Sequence, residues 1–401
     1  MSATLATVNA ILKEIYEGNI NDQLNDERTT IKRLERTAEG TSTDAVGGKY
    51  VTFPVRVSRN TGISYRAENT QLGPAGRQGL KAAQETLRYG YGRTYLTGQL
   101  IDLADSNKQA FSSAMDIEMD GLKDDIRRDE NQIAYGHVDG IVGTRARATA
   151  ASAGTTITVD STQLLEEGML INITDSAGVA VSGGAAAGLS ITAINSDTSI
   201  TVNAAVAGVI IGSYISRAGN YANEPYGLNR IVDSSGSLHG LDPATTSKWK
   251  SVEDSTTTTL TEMAMGKVID DIRRSGGNIP TVIFASLGFR RTYQNLMMSL
   301  RRYNEPKSFA GGLVGLSFMY GGKDLPLVDD VDAPAKTAFF IHEPDIKIWR
   351  DKEWHWQDKD GSVLKWVKDY DAWEALMKQY WQMGTHQRNS HGKMTNITET
   401  V

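Results

Sequence analysis

Residues 51–91 read VTFPVRVSRNTGISYRAENTQLGPAGRQGLKAAQETLRYGY. At Val51, Phe53, Val55 and Val57 apolar and polar residues alternate strictly, the pattern of a strand with one buried face. Leu87, Tyr89 and Tyr91 repeat it. The roughly thirty residues between carry Gly73, Pro74, Gly76 and Gly79 and few large apolar side chains, so they cannot bury a core of their own. The stretch predicts a long two-stranded excursion projecting from the body, with its strands at 51–57 and 87–91. A lone ribbon is marginal in water unless something covers it, and another subunit is the natural cover.

Before this ribbon, Leu5, Val8, Ile11, Leu12 and Ile15 recur every three to four positions, the stripe of an amphipathic helix over 4–17. That helix packs on its own domain or docks on a neighbouring chain. Residues 21–49 are polar and end in Gly40, Gly47 and Gly48, which reads as an extended arm. After the ribbon, Phe111, Met115, Met119, Leu122, Ile126 and Ile133 keep helical spacing over 105–136. Thirty residues at 1.5 Å each span roughly 45 Å, the length of a spine rather than an average globular helix.

Composition changes near Gly143. From 143 to 220 there are eight charged residues and no lysine, with short alternating runs at Ile157/Val159, Met169/Ile171/Ile173, Leu189/Ile191 and Ile200/Val202. This predicts a small all-β insertion, read as a solvent-facing module. Beyond Asn223-Glu224-Pro225-Tyr226-Gly227-Leu228 the chain turns mixed: a helix at 259–275 stopping at Gly276-Gly277, a buried strand at 281–284, a helix from Ser286, and strands from Ala338 to Met383. The body is α+β.

The 401 residues, 40% hydrophobic, suffice for a sizeable core, and no window holds the roughly 18 apolar residues of a membrane span. Met1-Ser2-Ala3-Thr4-Leu5 lacks the basic-then-apolar pattern of a secretory signal, so none is expected. Zero cysteines exclude disulfides, thiol nucleophiles and cysteine-ligated metals. A net charge of −6 argues against a body built to grip phosphate backbones.

Site motifs are few. Gly321-Gly322-Lys323 is followed by Asp324 and fails the phosphate-loop pattern. Asp358-Lys359-Asp360-Gly361 places its glycine too early for a calcium loop and reads as a hairpin turn. His386 and His391 stand five apart in a polar tail, without the spacing of a metal-binding helix. Asp329, Asp330 and Asp332 read as a solvated acidic loop. No catalytic, cofactor or metal residue is assigned, and the chain is not expected to be an enzyme.

An arm, an unsupported ribbon, a spine helix and an α+β body with late strands, in that order, resemble the major capsid protein of tailed bacteriophages, the Hong Kong 97-type fold. The resemblance is carried by Arg66-Ala67-Glu68 through Gly73-Pro74-Ala75-Gly76-Arg77-Gln78, and by Tyr89-Gly90-Tyr91-Gly92 leading to Tyr95-Leu96-Thr97-Gly98. It continues in the end of the spine at Asn131 to Gly136, in Pro225-Tyr226-Gly227-Leu228, and in Tyr380 to Gly392.

The resemblance implies an N-terminal arm at 1–49, an E-loop at 50–104, a spine helix of the peripheral domain at 105–137, a β-rich insertion at 138–221 and an axial domain at 222–345. Late peripheral strands and a C-terminal tail follow at 346–401. It implies pentamers and hexamers of an icosahedral head enclosing double-stranded DNA through weak non-specific contact, assembled in the host cytoplasm and located in the virion capsid. The assembly interface it implies includes Leu5, Ile11, Ile15, Arg66, Glu68, Arg77, Lys81 and Arg88. Some fifty residues precede the E-loop, so a separate scaffolding protein is expected, with a portal protein, a decoration protein as a further partner, and no membrane. Some relatives weld an E-loop lysine to an asparagine; Lys81 and Asn389 could be imagined in those roles, but no motif joins them and noncovalent assembly is expected. The alternatives are an encapsulin-like nanocompartment shell and, from another class, a soluble enzyme or carbohydrate-binding protein using the insertion.

Overall fold

The computed structural model describes residues 28–37, 50–99, 108–185, 188–301, 316–358 and 361–400. The stripe at Leu5, Ile11 and Ile15 lies outside them. Part of the expected extended arm is instead helix α1 (Thr29–Thr37). A nine-residue helix is marginal alone. Here Ile31 and Leu34, each 1% exposed, join a core that includes Tyr135, Leu228 and Phe339, and this burial overrides the polar composition.

The ribbon exists, but its return strand differs from the expected one. Strand β1 (Val51–Ser58) pairs antiparallel with β2 (Gly79–Glu85), Val51 opposite Glu85 and Ser58 opposite Gly79, which leaves 59–78 as the tip. The stretch containing Tyr89 and Tyr91 is strand β3 (Arg88–Thr97), paired along its length with residues 372–381. Alternation fixes which face of a strand is buried and leaves its partner open. Helix α2 (Lys108–Tyr135) is the spine, and Glu130 to Tyr135 are buried. Met119, Leu122 and Ile126 are only half-buried, and the side chains of Phe111 and Met115 lie outside the described residues.

The insertion is all-β. Strands β4 (Thr144–Arg147), β5 (Thr156–Thr158), β6 (Ile171–Thr174), β7 (Ile191–Ser196), β8 (Ser199–Val202) and β9 (Tyr214–Arg217) form two three-stranded antiparallel sheets, β4-β9-β6 and β5-β8-β7. Their inward residues, Ile157, Ile171, Ile173, Ile191, Ile200 and Ile215 among them, close a core of the insertion's own. Its first and last strands are adjacent, so the chain leaves where it arrives. At that crossing Gly143 has φ +80°, and a Cβ there would lie 2.1 Å from the Asn220 carbonyl oxygen. Only glycine fits both conditions.

A short helix α3 (Leu228–Ile231) leads to β10 (Val252–Asp254) and α4 (Glu262–Gly276). The Thr261 hydroxyl accepts the Ala264 N–H at 3.1 Å and Gly277 ends α4 in a left-handed conformation. Its buried face is Met265, Val268, Ile269 and Ile272, whereas Met263 is 87% exposed. Then come β11 (Val282–Ala285), α5 (Leu287–Arg301), β12 (Ser317–Tyr320), β13 (Lys323–Asp329) and β14 (Ala338–Ile341). Gly321 and Gly322, both with positive φ, turn the β12–β13 hairpin. The late strands are β15 (Ile346–Arg350), β16 (His355–Trp356), β17 (Lys365–Trp366) and β18 (Ala372–Thr385), with β18 at the centre of a sheet that also takes β3.

The closing segment is not a polar tail. Strand β19 (Gly392–Met394) enters the other, six-stranded sheet, ordered β10-β19-β14-β11-β13-β12. Arg388, Ser390 and His391 are fully buried. Arg388 donates to the carbonyl oxygens of Ile231 (3.1 Å), Gly236 (2.8 Å), Ser235 (2.8 Å) and Arg230 (3.4 Å), and the His391 Nε2 meets the Thr385 hydroxyl at 2.9 Å. Polar residues can fill a core when every donor finds an acceptor.

Candidate assembly interface

The ribbon tip is the most exposed part of the described chain that carries large apolar groups: Ile63 is 79% exposed, Tyr65 98% and Leu72 84%. It is nonetheless shaped. Asn60 donates to the Gly76 carbonyl at 3.1 Å and accepts the Gly62 N–H at 2.7 Å. A Cβ on Gly76 would lie 2.1 Å from Asn60 Oδ1, so glycine there lets the two limbs of the tip touch. Arg66, Glu68 and Arg77 all sit on this tip, exposed. Lys81 does not share it: its ammonium donates to the Thr246 hydroxyl at 2.6 Å. Arg88 is half-buried beside Tyr226 at the ribbon's root.

The base of the ribbon is anchored from both strands. Phe53 on β1 packs against His239, Trp349 and His386, with ring centroids 5.6, 5.8 and 4.7 Å away. On β2, the Glu85 carboxylate faces His239 Nδ1 at 3.1 Å. The base of the ribbon is thus fixed, while Ile63, Tyr65 and Leu72 on the tip stand exposed among the described residues.

Asp330 and Asp332, expected on a solvated loop, are each 1% exposed. Asp330 accepts from the Thr30 N–H (3.0 Å), the Asn131 amide (3.1 Å) and the Asp332 N–H (2.9 Å). Asp332 accepts from Arg128 and from Asn131, both at 2.5 Å. Burial pushes the Asp332 carboxyl up to about 6, against the pull of Asn131 and Arg128. The cluster joins α1, α2 and the loop after β13. Apart from the Asp332 N–H, the donors come from residues two hundred and three hundred positions away in the chain, so local sequence could not disclose them.

A second clasp holds the insertion to the spine. Arg145, 2% exposed, bonds Asp129 and Glu224, both at 2.9 Å, and Arg217 adds a contact to Asp129 at 3.4 Å. His137 lies between Asp139 (3.0 Å) and Asp160 (2.9 Å). Burial lowers the imidazole pKa, but the bonds to Asp139 and Asp160 outweigh it and raise it to about 9. Gln163 of the insertion donates to the carbonyls of Val331 and Ala333, at 2.5 and 3.0 Å. The insertion is bound at three places rather than hung from a flexible stalk.

A polar cleft of about 1000 Å³ runs between β3 and α2 and explains why Leu122 and Ile126 are half-buried. On its wall burial pushes the Glu130 carboxyl up to about 7, against Arg350 and the bond from Trp354 Nε1 at 2.8 Å. Among the described residues no group of three histidines or carboxylates could hold a metal ion, and no helix is long and apolar enough to cross a membrane.

No family model matches the sequence, and no curated protein does. Solved structures do. The cyanophage A-1(L) capsid asymmetric unit superposes with a TM-score of 0.62 at 12% identity, covering 99% of this chain and 100% of that one. The capsid of the empty GTA particle gives 0.51 at 7% identity over 99% of each chain. The chain therefore has the Hong Kong 97-type fold of phage capsid subunits, of the α+β class.

Proposed function

We propose, from a fold shared with capsid subunits, that this chain is a major capsid protein. Its copies assemble into the pentamers and hexamers of an icosahedral phage head that encloses double-stranded DNA. The observation that carries the reading is the ribbon tip: Ile63, Tyr65 and Leu72 stand in water on an otherwise anchored ribbon. Such groups gain stability on a surface that covers them, which the described residues of one chain do not. Self-association through identical copies offers it, and contacts that curve consistently close a shell.

In this reading 50–104 is the E-loop, with Arg66, Glu68 and Arg77 at the intersubunit contact and Lys81 and Arg88 holding its root. Residues 1–49 are the N-terminal arm, which places Leu5, Ile11 and Ile15 at a contact too. The spine at 105–137 and the late strands form the peripheral domain. Residues 222–345 form the axial domain, completed by β19. A separate scaffolding protein, a portal protein and a decoration protein are the expected partners; packaged DNA is touched weakly, as the net charge of −6 favours. The setting is the virion capsid, assembled in the host cytoplasm, with no catalytic role.

Expression of the chain alone and with candidate scaffolding proteins, followed by electron microscopy, tests the proposal. Closed shells of uniform size support it. A monodisperse monomer under every condition contradicts it.

A further inference from the structure

Leu238 and Leu241 exchange backbone hydrogen bonds at 3.0 Å across His239 and Gly240, whose φ values are +52° and +73°. This is a tight two-residue turn with both central residues left-handed. Connecting turns normally lie on the surface. His239 is 1% exposed, ringed by Phe53, Tyr226, Trp249 and Trp349 at centroid distances of 5.6, 6.1, 6.3 and 5.5 Å. A polar, non-glycine residue held in a strained conformation inside a core is a feature that the surroundings must over-determine.

They do so through three polar contacts. The Thr385 N–H donates to His239 Nε2 at 3.2 Å, so that nitrogen carries a lone pair. The proton of the neutral ring is therefore on Nδ1, which donates to Glu85 at 3.1 Å. The His239 carbonyl accepts the Gln84 N–H at 3.0 Å. Glu85 and Gln84 belong to β2 and Phe53 to β1, while Thr385 and Trp349 belong to the late-strand sheet. One imidazole thus joins both ribbon strands to the body.

We infer that His239 is the positioning residue that sets the angle at which the ribbon leaves the body, and that it acts only as the neutral Nδ1–H tautomer. Protonation of Nε2 would turn the acceptor of the Thr385 N–H into a donor and drive the two apart. The groups facing the ring are Glu85 from β2, Arg388 and His386 from the end of β18 and beyond, and Tyr226 from the segment before α3, with Arg88 behind Tyr226. Burial pulls the imidazole below its ordinary range, against the bond to Glu85, and Arg388 acts in the same direction as burial. The latch is set at neutral pH and released as pH falls through that depressed range.

The inference rests on the E-loop reading only for its consequence in assembly, so the test reads the ribbon and not the shell. The chain has no cysteine, so spin labels attach only where cysteines are introduced. Arg59→Cys with Asp351→Cys reports ribbon against body, and Lys267→Cys with Asp351→Cys reports the body alone, each diluted in unlabelled chain. The ribbon pair should give one narrow distance at pH 8 and lose it on acidification while the body pair stays narrow. His239→Asn keeps a side chain tolerant of the left-handed turn and a donor for Glu85 but has no titrating ring, so its ribbon distribution should not change with pH. A ribbon distance that broadens only together with the body pair overturns the inference. So does a His239→Asn variant that follows pH as the unsubstituted chain does.

Discussion

Asp330 caps helix α1 from three hundred residues away: its Oδ2 accepts the Thr30 N–H at 3.0 Å. An anionic acceptor at a helix N-terminus satisfies an orphan donor and meets the positive end of the helix dipole. The Thr30 hydroxyl bonds Tyr135 of the spine beside it, and Arg33 pairs with Glu343 at 2.7 Å. The start of the described chain is thus tied to the middle of the fold.

Asp330→Ala should lower stability by about 3 kcal/mol, because the Thr30, Asn131 and Asp332 donors would lose a buried acceptor. Denaturant unfolding gives the loss. Trypsin cleavage after Arg33 and Arg36 should accelerate with it. Unchanged cleavage would mean that α1 is held by Ile31, Leu34 and its contacts to Tyr135 and Glu343 without help from Asp330.

Glu130 makes a pH prediction with a definite sign. Its folded pKa is raised to about 7, so its contribution is full below the unfolded value and is lost as pH rises from about 4.5 through 7. Glu130→Gln keeps an acceptor for Trp354. By urea unfolding it should be more stable than the unsubstituted chain at pH 8, by about 3 kcal/mol, and show no advantage at pH 4.5.

His137 predicts the alkaline limb. With a folded pKa of about 9, its charge stabilises the insertion clasp fully below about 6.5, and that stability is lost as pH rises through 9. The gap between the unsubstituted chain and His137→Asn, measured by urea unfolding, should be largest at pH 6 and close by pH 10. A constant gap would assign the residue a packing role only.

Gly92 lies beneath Ile126: a Cβ there would come within 2.4 Å of the Ile126 Cδ1. Gly92→Ala should cost about 1 kcal/mol, by turning the Ile126 Cδ1 out of its rotamer toward the cleft. Pairing it with Ile126→Val should restore part of that loss in a double-mutant cycle.

The sequence discloses what is periodic. Val51, Phe53 and Val55 mark a half-buried strand, Leu122, Ile126 and Ile133 a helix, and the isoleucines of the insertion its strands. It conceals what depends on distant partners. Tyr89 and Tyr91 alternate as well on a strand paired with β18 as on a ribbon, so the return strand could not be chosen. Asp330, Asp332, Arg388 and His391 are polar, and only the arrival of Thr30, Asn131 and the 230–236 carbonyls makes their burial possible. Of the residues proposed for the interface, Arg66, Glu68 and Arg77 are on the exposed tip, whereas His239 and Glu85, which hold the ribbon, carry no local signal beyond a histidine before Gly240.

Excising the tip tests the central claim most directly. Because Ser58 pairs with Gly79, replacing 59–78 by Asn-Gly closes β1 and β2 with a two-residue turn and leaves Ala83, Glu85 and the His239 contacts in place. Mass measurement and electron microscopy of that variant, beside the unsubstituted chain and with the same scaffolding protein, should find folded subunits with an unchanged melting transition and no closed shells. Shells of normal size and number from the tipless chain would contradict the account.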